Sequence, residues 1–476
     1  MEMNPSVDKE AGISWQYLLL IFLVVLAIRF SVSLSQLSIS WADELFQTLE
    51  PAHRLVYGYG IIAYDFYVGL RSWLIPGFLA GVLYIGSWLG FGSDGYIPLV
   101  NLVLCLLSML PFLAALLWAQ ELGGKRCFWI VALICGLWTD FIHMAPKALS
   151  GTLSVHLLFP GLYLGCTAKI SSSQKRLFWG SFLCGFALAL RIQLAPIVLF
   201  SLGYFLIGPH WRKSLKSIVV GSLIPLLFAG LLDWWTWGGL FWSYRLYLWQ
   251  HLFENRYVNQ GGYTWYAYFI FFKEAWGWFA VPALFFLAAG ARKLLFLFGV
   301  ALLHFAVHTM IPIKSFRFLY PTITIFVFLM ALGVHQVLVW MENRGMAKNQ
   351  RVVVMTASIC FYLLFSAHLG FYNNQSHANW IRQGSGIARW SYYRGAITGS
   401  RIMNKDEDLC GLGVFQRRRG AYSWTETGGY YYLHRNVPIF EIPTINRFWI
   451  EQTRFNYFWG MESTFGKGIG DFVAVD

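Results

Sequence analysis

A polar cluster follows the first long apolar segment of this chain. Asp43, Gln47, Glu50 and Arg54 recur at the spacing of one helical face, shortly after an apolar run over residues 15–34. A carboxylate in such a cluster can take a proton from a nucleophile, and an arginine can hold an anion. Polar groups gathered beside a candidate membrane span are more often functional than decorative. This cluster is therefore the first candidate for chemistry.

More polar residues fall on the same, non-cytoplasmic side of the topology predicted below. They are Glu44, His53, Asp65 and Arg71 in the first loop, and Lys147, Arg191, Asp233, Arg245, Lys314 and Arg317 at helix ends. Carboxylates that face several cations suit a reaction in which a base activates a nucleophile while cations hold an anionic leaving group. Phosphate is the obvious anion, because the planar guanidinium of arginine matches its geometry.

Several of the first-loop residues also have a structural interpretation. The stretch from Ser40 to Asp43 fits a capping box, in which Asp43 would only serve a helix N-terminus. Glu50 and Arg54 are spaced as an i,i+4 ion pair. A lone histidine such as His53 is more often packed than catalytic, so these alternatives stay open.

The remaining candidates differ in how well a structural role explains them. Lys314 and Arg317 could be interfacial side chains that snorkel to water. Asp233 stands beside two tryptophans and could belong to an aromatic belt. Asp65 lies among apolar residues, where a charged carboxylate needs a partner. We therefore expect Asp65 to be hydrogen-bonded or ion-paired.

The composition places these residues in a membrane protein. The 476-residue chain is 57% hydrophobic and only 12% charged, against roughly 25% charged residues in soluble domains. Its net charge of +13 comes largely from short loops between apolar segments, which is the pattern of topology signals. No basic array interleaved with aromatic residues is present, so nucleic acid is excluded as a partner.

Basic loops placed on the cytoplasmic side give a path of about eleven transmembrane helices. The first helix leads out to a catalytic first external loop at about 35–95. Within that loop, residues 73–91 predict a short surface or re-entrant helix. The other spans are predicted near 96–119, 127–143, 150–167, 177–190, 193–208, 217–236, 266–290, 294–311, 318–340 and 352–371.

The chain divides by hydropathy into two predicted domains. Residues 1–371 form the transmembrane domain, whose N-terminal span is interpreted as an uncleaved signal anchor. Residues 372–476 form a small soluble α/β domain on the non-cytoplasmic side. The alternating stretch Tyr430–Leu433 suggests one of its short strands. The seven cysteines contain no CxxC pair and no metal spacing, so neither a disulfide framework nor a zinc site is expected. No other metal and no cofactor is predicted.

Three stretches carry a family resemblance. Residues 41–60 closely resemble the His-Pro-Asp-Glu-x-x-Gln signature of the Alg9-like mannosyltransferases, and residues 71–76 look like the block that follows it. Residues 314–321 resemble the late His-Lys-Glu-x-Arg-Phe block of that family. Residues 233–268 are similar to its aromatic loop. The match departs at Trp41 and Ala42, which stand for His-Pro, and at Ile313 and Ser315 in the late block.

This resemblance implies a C-type glycosyltransferase fold and an inverting transfer from a polyprenyl-phosphate sugar. It assigns Asp43 as the catalytic base. We predict that Glu44, the second catalytic carboxylate, and Asp65 orient the acceptor or the base. Cations of the late block would hold the departing phosphate. The substrate-binding set is then Asp65, Arg71, His53, Arg191, Lys314, Arg317 and Asp233.

The predicted function is transfer of a hexose, mannose by preference, to a lipid-linked glycan or similar glycolipid acceptor on the periplasmic or lumenal face. Residues 428–438 look more like bacterial members, which favours a bacterial inner membrane over the endoplasmic reticulum. One alternative is a transporter or flippase for a lipid-linked sugar, which would place charges near the bilayer midplane on broken helices. Another is a transferase of similar fold that moves an aminosugar to lipid A or mannose to protein.

Overall fold

The computed structural model describes residues 13–35, 37–253, 263–371, 394–415, 428–442, 457–459 and 472–474. The predicted soluble domain and the external loop before residue 266 therefore lie partly outside the described residues. The chain forms two units. The larger comprises Met1–Val32, Leu104–Pro146 and Ser150–Ile387, and the smaller comprises Ser33–Val103, Lys147–Leu149 and Ala388–Asp476.

The larger unit is built from helices. Helices α1 (Trp15–Ser35) and α6 (Ser93–Gly136) each contribute most of their length to it. The other helices of this unit are α7 (Thr139–Met144), α8 (Ser150–Ser171), α9 (Gln174–Leu190), α10 (Ala195–Leu206), α11 (Trp211–Trp237), α12 (Trp242–Leu252), α13 (Ala267–Trp276), α14 (Ala280–Ala291), α15 (Leu295–Met310), α16 (Tyr320–Asn343) and α17 (Lys348–Phe371).

Seven helical stretches of the described chain are long and apolar enough to cross a membrane. They are Trp15–Ser35, Ser93–Gly136, Ser150–Ser171, Trp211–Trp237, Ala267–Ala291, Phe316–Asn343 and Lys348–Gly370. Three shorter apolar helices, Leu74–Trp88, Ile192–Leu206 and Leu295–Met310, accompany them. The protein is a multi-pass membrane protein, as predicted, and the count of about eleven spans stays a prediction.

Two glycines interrupt α6 where the sequence places a cytoplasmic turn. Gly123 and Gly124 leave helical geometry, and Gly124 has a φ of +63°, a conformation that favours glycine. The break directly precedes the predicted basic loop at Lys125. Beyond it, Arg126 donates to Glu342 at 3.0 Å, and Arg351 binds the same carboxylate. Arginines at two loops that are predicted to lie on the same side of the membrane therefore both bind Glu342.

Close helix contacts in the larger unit depend on glycine. A Cβ on Gly161 of α8 would lie 2.9 Å from Sγ of Cys184 on α9, and one on Gly180 would lie 2.7 Å from the amide nitrogen of Gly165. Small residues let helix backbones approach, which is the usual basis of helix packing in a bilayer. These contacts fix α9, which ends immediately before Arg191.

The smaller unit contains the first loop and the C-terminal part of the chain, Ala388–Asp476, which we call the tail. Its first-loop elements are α2 (Ala42–Glu44), a π-helix (Leu45–Leu49), α3 (Glu50–Tyr57), α4 (Tyr64–Tyr67) and α5 (Leu74–Trp88). The predicted helix over residues 73–91 is therefore present. The tail supplies α18 (Arg394–Met403), α19 (Gly429–Leu433), β1 (Leu412–Phe415), β2 (Ile439–Ile442), β3 (Tyr457–Trp459) and β4 (Phe472–Ala474).

The four strands form one mixed sheet in the order β2-β1-β3-β4. Strand β1 runs parallel to β2 and β3, and β4 is antiparallel to β3. Met403, Leu409, Leu412 and Leu433 form a small buried core beside it. The strand expected over Tyr430–Leu433 is wrong, because this stretch is helical. Its apolar alternation reflects burial of the aromatic rings, and two glycines with positive φ turn the backbone into the helix.

Candidate active site

The acidic stretch of the first loop is one continuous helical run. Helix α2, the π-helix and α3 follow one another without a break from Ala42 to Tyr57. The N-cap residue is Trp41, and no side-chain cap bond is formed there within the described chain. The backbone N–H of Ser40, which a capping box would direct to Asp43, donates to Oε2 of Glu44, and the capping role of Asp43 stays an open alternative. Asp43 lies partly exposed in the first turn.

Glu44 differs sharply from its neighbour. Its side chain is buried, and its Oε1 lies 3.4 Å from Nζ of Lys147. Its Oε2 accepts a hydrogen bond from the backbone N–H of Ser40 at 3.1 Å. Lys147 also donates to the carbonyl of Ser38 at 2.6 Å. A carboxylate held by a buried cation and by the loop backbone is placed to fix the loop, which leaves Asp43 as the more accessible of the two acids.

Asp65 has the partner that the sequence requires. Arg71 donates from Nε to its Oδ2 at 3.0 Å, and Gln47 donates from Nε2 to the same oxygen at 2.9 Å. All three side chains are partly exposed. Gln47 stands four residues after Asp43, within the π-helix. Three candidate polar residues of the first loop, Gln47, Asp65 and Arg71, therefore form one hydrogen-bonded network.

Glu50 and Arg54 do not pair as an ion pair within the described residues. Glu50 is fully buried and accepts hydrogen bonds from backbone N–H groups, of which Ile61 is one at 2.8 Å. Arg54 donates instead to the carbonyl of Gly60 at 2.8 Å. Both side chains hold the turn after α3, so their role in the fold is structural.

His53 lies in the interior of the smaller unit. Its Nε2 is 3.1 Å from Nδ1 of His434, and its Nδ1 is 3.2 Å from the carbonyl of Tyr59. The ring also packs against Tyr57 and Tyr96. Burial lowers the pKa of His53 to about 3, so the imidazole is neutral at physiological pH. His53, which the sequence predicted to bind substrate, is therefore packed among the side chains of the smaller unit.

Two arginines of the larger unit meet on one aromatic ring. The guanidinium carbon of Arg191 is 5.1 Å from the centroid of Phe318, and that of Arg317 is 5.0 Å from the same centroid. All three side chains are partly exposed. Arg191 comes from the break between α9 and α10, and Arg317 comes from the 3-10 helix before α16. Two partly exposed guanidiniums against one ring are candidates to bind a phosphate group.

The break that carries Arg191 is held by neighbouring helices. Tyr244 of α12 donates to the carbonyl of Ala189, and Gln193 is hydrogen-bonded to Tyr247. A Cβ on Gly151, in the first turn of α8, would lie 2.8 Å from Nη1 of Arg191. The guanidinium therefore lies against the N-terminal turn of α8, whose backbone dipole adds positive potential at this place.

Lys314 has a different role from the predicted phosphate ligand. Its side chain is 2% exposed. The ammonium donates to the carbonyls of Thr309 at 2.7 Å, His308 at 3.2 Å and Ile311. These carbonyls close the C-terminal end of α15, where a cation is stabilised by the helix dipole. An ammonium has three N–H donors, and all three are used here.

Asp233 and Arg245 flank the start of α12. Asp233 is fully buried, and its Oδ2 accepts from the backbone N–H of Ser243 at 2.9 Å and from its hydroxyl at 2.6 Å. The carboxylate therefore secures the first turn of α12. Arg245 is exposed and lies 5.6 Å from the ring of Trp242. The structure thus gives Asp233 a fold-supporting place.

The family model of the Alg9-like mannosyltransferases matches residues 20–383. This match covers most of the chain, including the acidic first-loop cluster and the two arginines. The chain belongs to the Alg9-like mannosyltransferase family. The predicted family is thereby confirmed, and residues 41–60 and 314–321 lie within the matched range.

Curated relatives of this Alg9-like chain include GPI mannosyltransferase 3 of Drosophila melanogaster, which is 28% identical over 53% of this chain and 44% of that protein. Mannosyltransferase APTG1 of Arabidopsis thaliana is 31% identical over 45% of this chain and 40% of that protein. GPI mannosyltransferase 3 of Yarrowia lipolytica is 42% identical over 13% of this chain and 12% of that protein. The chain spans less than half the length of these relatives.

Among solved structures, the chain resembles ArnT from Cupriavidus metallidurans. The crystal structure of that protein bound to undecaprenyl phosphate has a TM-score of 0.57 at 12% identity and covers 90% of this chain and 86% of its own. The apo structure has a TM-score of 0.58 at 12% identity, with 91% and 86% covered. The likeness shows the fold, and the predicted helical C-type membrane fold is confirmed.

Sequence reasoning missed a histidine pair in this Alg9-like chain. His304 and His308 of α15 are buried with ring centroids 4.1 Å apart, and Nδ1 of His304 is 2.9 Å from the hydroxyl of Thr322. Their Nε2 atoms have no hydrogen-bond partner within the described part of the chain. The i,i+4 spacing just before Lys314 was the available signal. The described residues contain no group of three or more His, Cys, Asp or Glu that could hold a metal ion.

Proposed function

We propose that this protein is an inverting glycosyltransferase that moves a hexose from a polyprenyl-phosphate donor to a glycolipid or lipid-linked glycan. The observation that carries the proposal is the contrast between adjacent acids, in which Asp43 is partly exposed while Glu44 is buried against Lys147. Membership of the Alg9-like family supports transfer chemistry. The ArnT structure was solved with undecaprenyl phosphate, which supports a polyprenyl-phosphate donor.

In this proposal Asp43 is the catalytic base. It takes the proton of an acceptor hydroxyl as the oxygen attacks the anomeric carbon of the donor sugar. One bond forms between the acceptor oxygen and that carbon, and the bond from that carbon to the phosphate oxygen breaks. The electron pair leaves with the polyprenyl phosphate, which needs no proton from a general acid at neutral pH. Attack opposite to the leaving group inverts the anomeric centre.

The departing phosphate is held by Arg191 and Arg317. Their guanidiniums share the Phe318 ring, and Arg191 lies against the first turn of α8. Charge that develops on the phosphate is stabilised by donors already in place before the reaction. Lys314 has no part in this role, because its ammonium is used on the C-terminal carbonyls of α15.

The network of Gln47, Asp65 and Arg71 orients the acceptor. Asp65 accepts hydrogen bonds from Arg71 and Gln47, and partly exposed polar side chains of this kind suit sugar hydroxyls. Mannose is the preferred sugar and a glycolipid the preferred acceptor, because the curated relatives are named GPI mannosyltransferase 3. We place the reaction on the non-cytoplasmic face. A bacterial inner membrane is favoured by the likeness of residues 428–438 to bacterial members.

A donor panel tests the proposal. The purified full chain is incubated with a mannose-terminated glycolipid and, in turn, with polyprenyl-phosphate mannose, polyprenyl-phosphate glucose and a polyprenyl-phosphate aminosugar. We expect release of polyprenyl phosphate and a gain of one hexose in the glycolipid with mannose. Movement of an intact lipid-linked sugar across vesicles without transfer would instead make the protein a transporter.

A further inference from the structure

The tail of the chain is bound to the first loop through one buried carboxylate. Oε1 of Glu50 accepts from the backbone N–H of Ile61 at 2.8 Å and of Tyr430 at 3.1 Å, and Oε2 accepts from that of Tyr431 at 2.9 Å. We call Glu50 with these three N–H groups the tail clamp. Glu50 and Tyr431 are separated by 381 positions in the chain, so this contact exists only in the folded protein.

Glycine makes the clamp possible. Gly429 has a φ of +63°, and a Cβ built on it would lie 2.6 Å from Oε2 of Glu50. The tail therefore approaches the carboxylate with bare backbone, which no other residue type allows at this distance. The geometry is specific to the carboxylate, because both oxygens accept from N–H groups that point at them.

Further contacts hold the same stretch of tail. His53 lies 3.1 Å from His434, three residues after Tyr431. The hydroxyl of Tyr96 donates to the carbonyl of Tyr431. The segment Gly428–His434 is thus attached both to the first loop and to the start of α6, within the smaller unit.

The carboxylate would be costly if it served packing alone. Glu50 is fully buried, and burial raises the pKa of Glu50 to about 7 against the opposing hydrogen bonds from Ile61, Tyr431 and Tyr430. An apolar side chain of similar volume is often neutral or stabilising in place of a buried charge. What the carboxylate adds is a fixed direction for three backbone groups.

Glu50 also connects the tail clamp to Asp43 and Glu44 along the helical run of the first loop. It directly follows the π-helix Leu45–Leu49, and its backbone N–H is bonded to the carbonyl of Leu45. Asp43 and Glu44 directly precede that π-helix. π-Helical turns are rare and frequently occur at functional sites. Glu50 and Asp43 are therefore joined through one unusual turn.

We propose that the tail segment Gly428–His434 positions the catalytic loop, and that Glu50 is the positioning residue through which it does so. This inference rests on the proposed function, in which Asp43 is the base. The tail then belongs to the catalytic machinery, although it lies outside the family match at residues 20–383.

Two variants and a matched control test this inference on the full chain. Glu50→Gln keeps the shape but replaces one acceptor oxygen by an N–H₂ group that confronts a backbone N–H. Gly429→Ala places a methyl group against Oε2. Gly90→Ala is the control, because Gly90 has a φ of +74° in the same unit and its Cβ would meet nothing within 4 Å.

Hydrogen exchange and steady-state kinetics are measured on all four proteins. We expect faster amide exchange in residues 42–49 and 428–434 for Glu50→Gln and Gly429→Ala, and unchanged exchange in both segments for Gly90→Ala. We also expect kcat to fall about tenfold or more with a donor KM within about twofold, because a displaced base lowers turnover more than donor binding. Gly90→Ala should keep wild-type kcat.

The outcomes separate this inference from the proposed function. Faster exchange confined to residues 428–434, with residues 42–49 unchanged, overturns the positioning role and leaves a packing contact. Faster exchange in both segments with wild-type kcat overturns it as well. If the wild-type protein transfers no sugar, the proposed function fails, while exchange in residues 42–49 still decides whether the tail fixes the loop.

Discussion

Glu44 and Lys147 form a buried ion pair with Oε1 and Nζ 3.4 Å apart and side chains 4% and 5% exposed. Lys147 is far from Glu44 in the chain, and it also binds the carbonyl of Ser38 before the acidic helix. The hydroxyl of Thr48 donates to the carbonyl of Ala148 at 2.7 Å in the same place. The stretch at Lys147 thus holds the acidic helix beside Asp43 in a fixed position.

Removal of the lysine should destabilise the protein. Lys147→Met leaves the Glu44 carboxylate buried without its cation, which costs about 3–5 kcal/mol for a buried pair. We expect a clearly lower thermal unfolding temperature in detergent, and partial recovery in the double variant with Glu44→Gln. Arg401→Met is the control, because its pair with Asp94 is 39% and 54% exposed and such pairs contribute about 0–1 kcal/mol. Equal unfolding temperatures for Lys147→Met and Arg401→Met would contradict the stabilising role of the buried pair.

The base assignment is tested by Asp43→Asn. Asparagine has nearly the same shape but cannot accept the acceptor's proton, so turnover should fall by roughly 10²-fold or more. The unfolding temperature should stay near that of the wild type. Glu407→Gln, a change at an exposed carboxylate of the same unit, should keep normal turnover. Near-normal turnover of Asp43→Asn would make Asp65, a partly exposed acid of the first loop, the next candidate for the base.

Substitution of Arg317 and of Lys314 should have different effects, because only Arg317 is proposed to bind the phosphate. Arg317→Ala should raise the donor KM about tenfold, since a charge-assisted bond to phosphate is worth about 1.5–3 kcal/mol. Lys314→Met should lower the unfolding temperature, because it uncovers carbonyls at the end of α15, and should leave the donor KM within about twofold. Steady-state kinetics at varied donor concentration decide the matter. A KM for Lys314→Met as high as that for Arg317→Ala would restore the lysine as a phosphate ligand.

The free energy of unfolding should depend on pH through the titration of Glu50. Its pKa is raised by burial from 4.5 to about 7, so the folded state binds more protons than the unfolded state between these values. The resulting stabilisation is fully present below pH 4.5 and is lost as pH rises through 7. From pH 5.5 to 8 the loss is about 2 kcal/mol. Unfolding measured at several pH values should show this loss of stability in the wild type but not in Glu50→Gln. Curves of stability against pH that run parallel for the two proteins would contradict the prediction.

The sequence by itself predicted the membrane class and the family, because both depend on local properties. Apolar runs of span length are read from composition, and the stretch 41–60 identifies the family through residue types at fixed spacing. It also predicted that Asp65 needs a partner, since a carboxylate among apolar residues is unfavourable alone. Arg71, only six residues away, supplies it.

Tertiary structure decided which polar groups remain available for substrate. Lys314 and Asp233 have the right residue types, yet the fold uses them at the ends of α15 and α12. Glu44 pairs with Lys147, and Glu50 pairs with the tail. Burial and hydrogen-bond satisfaction depend on residues that are distant in sequence, so no local pattern contains them. The partial exposure of Asp43 beside the buried Glu44, on which its proposed role as the base depends, is likewise a property of the folded chain.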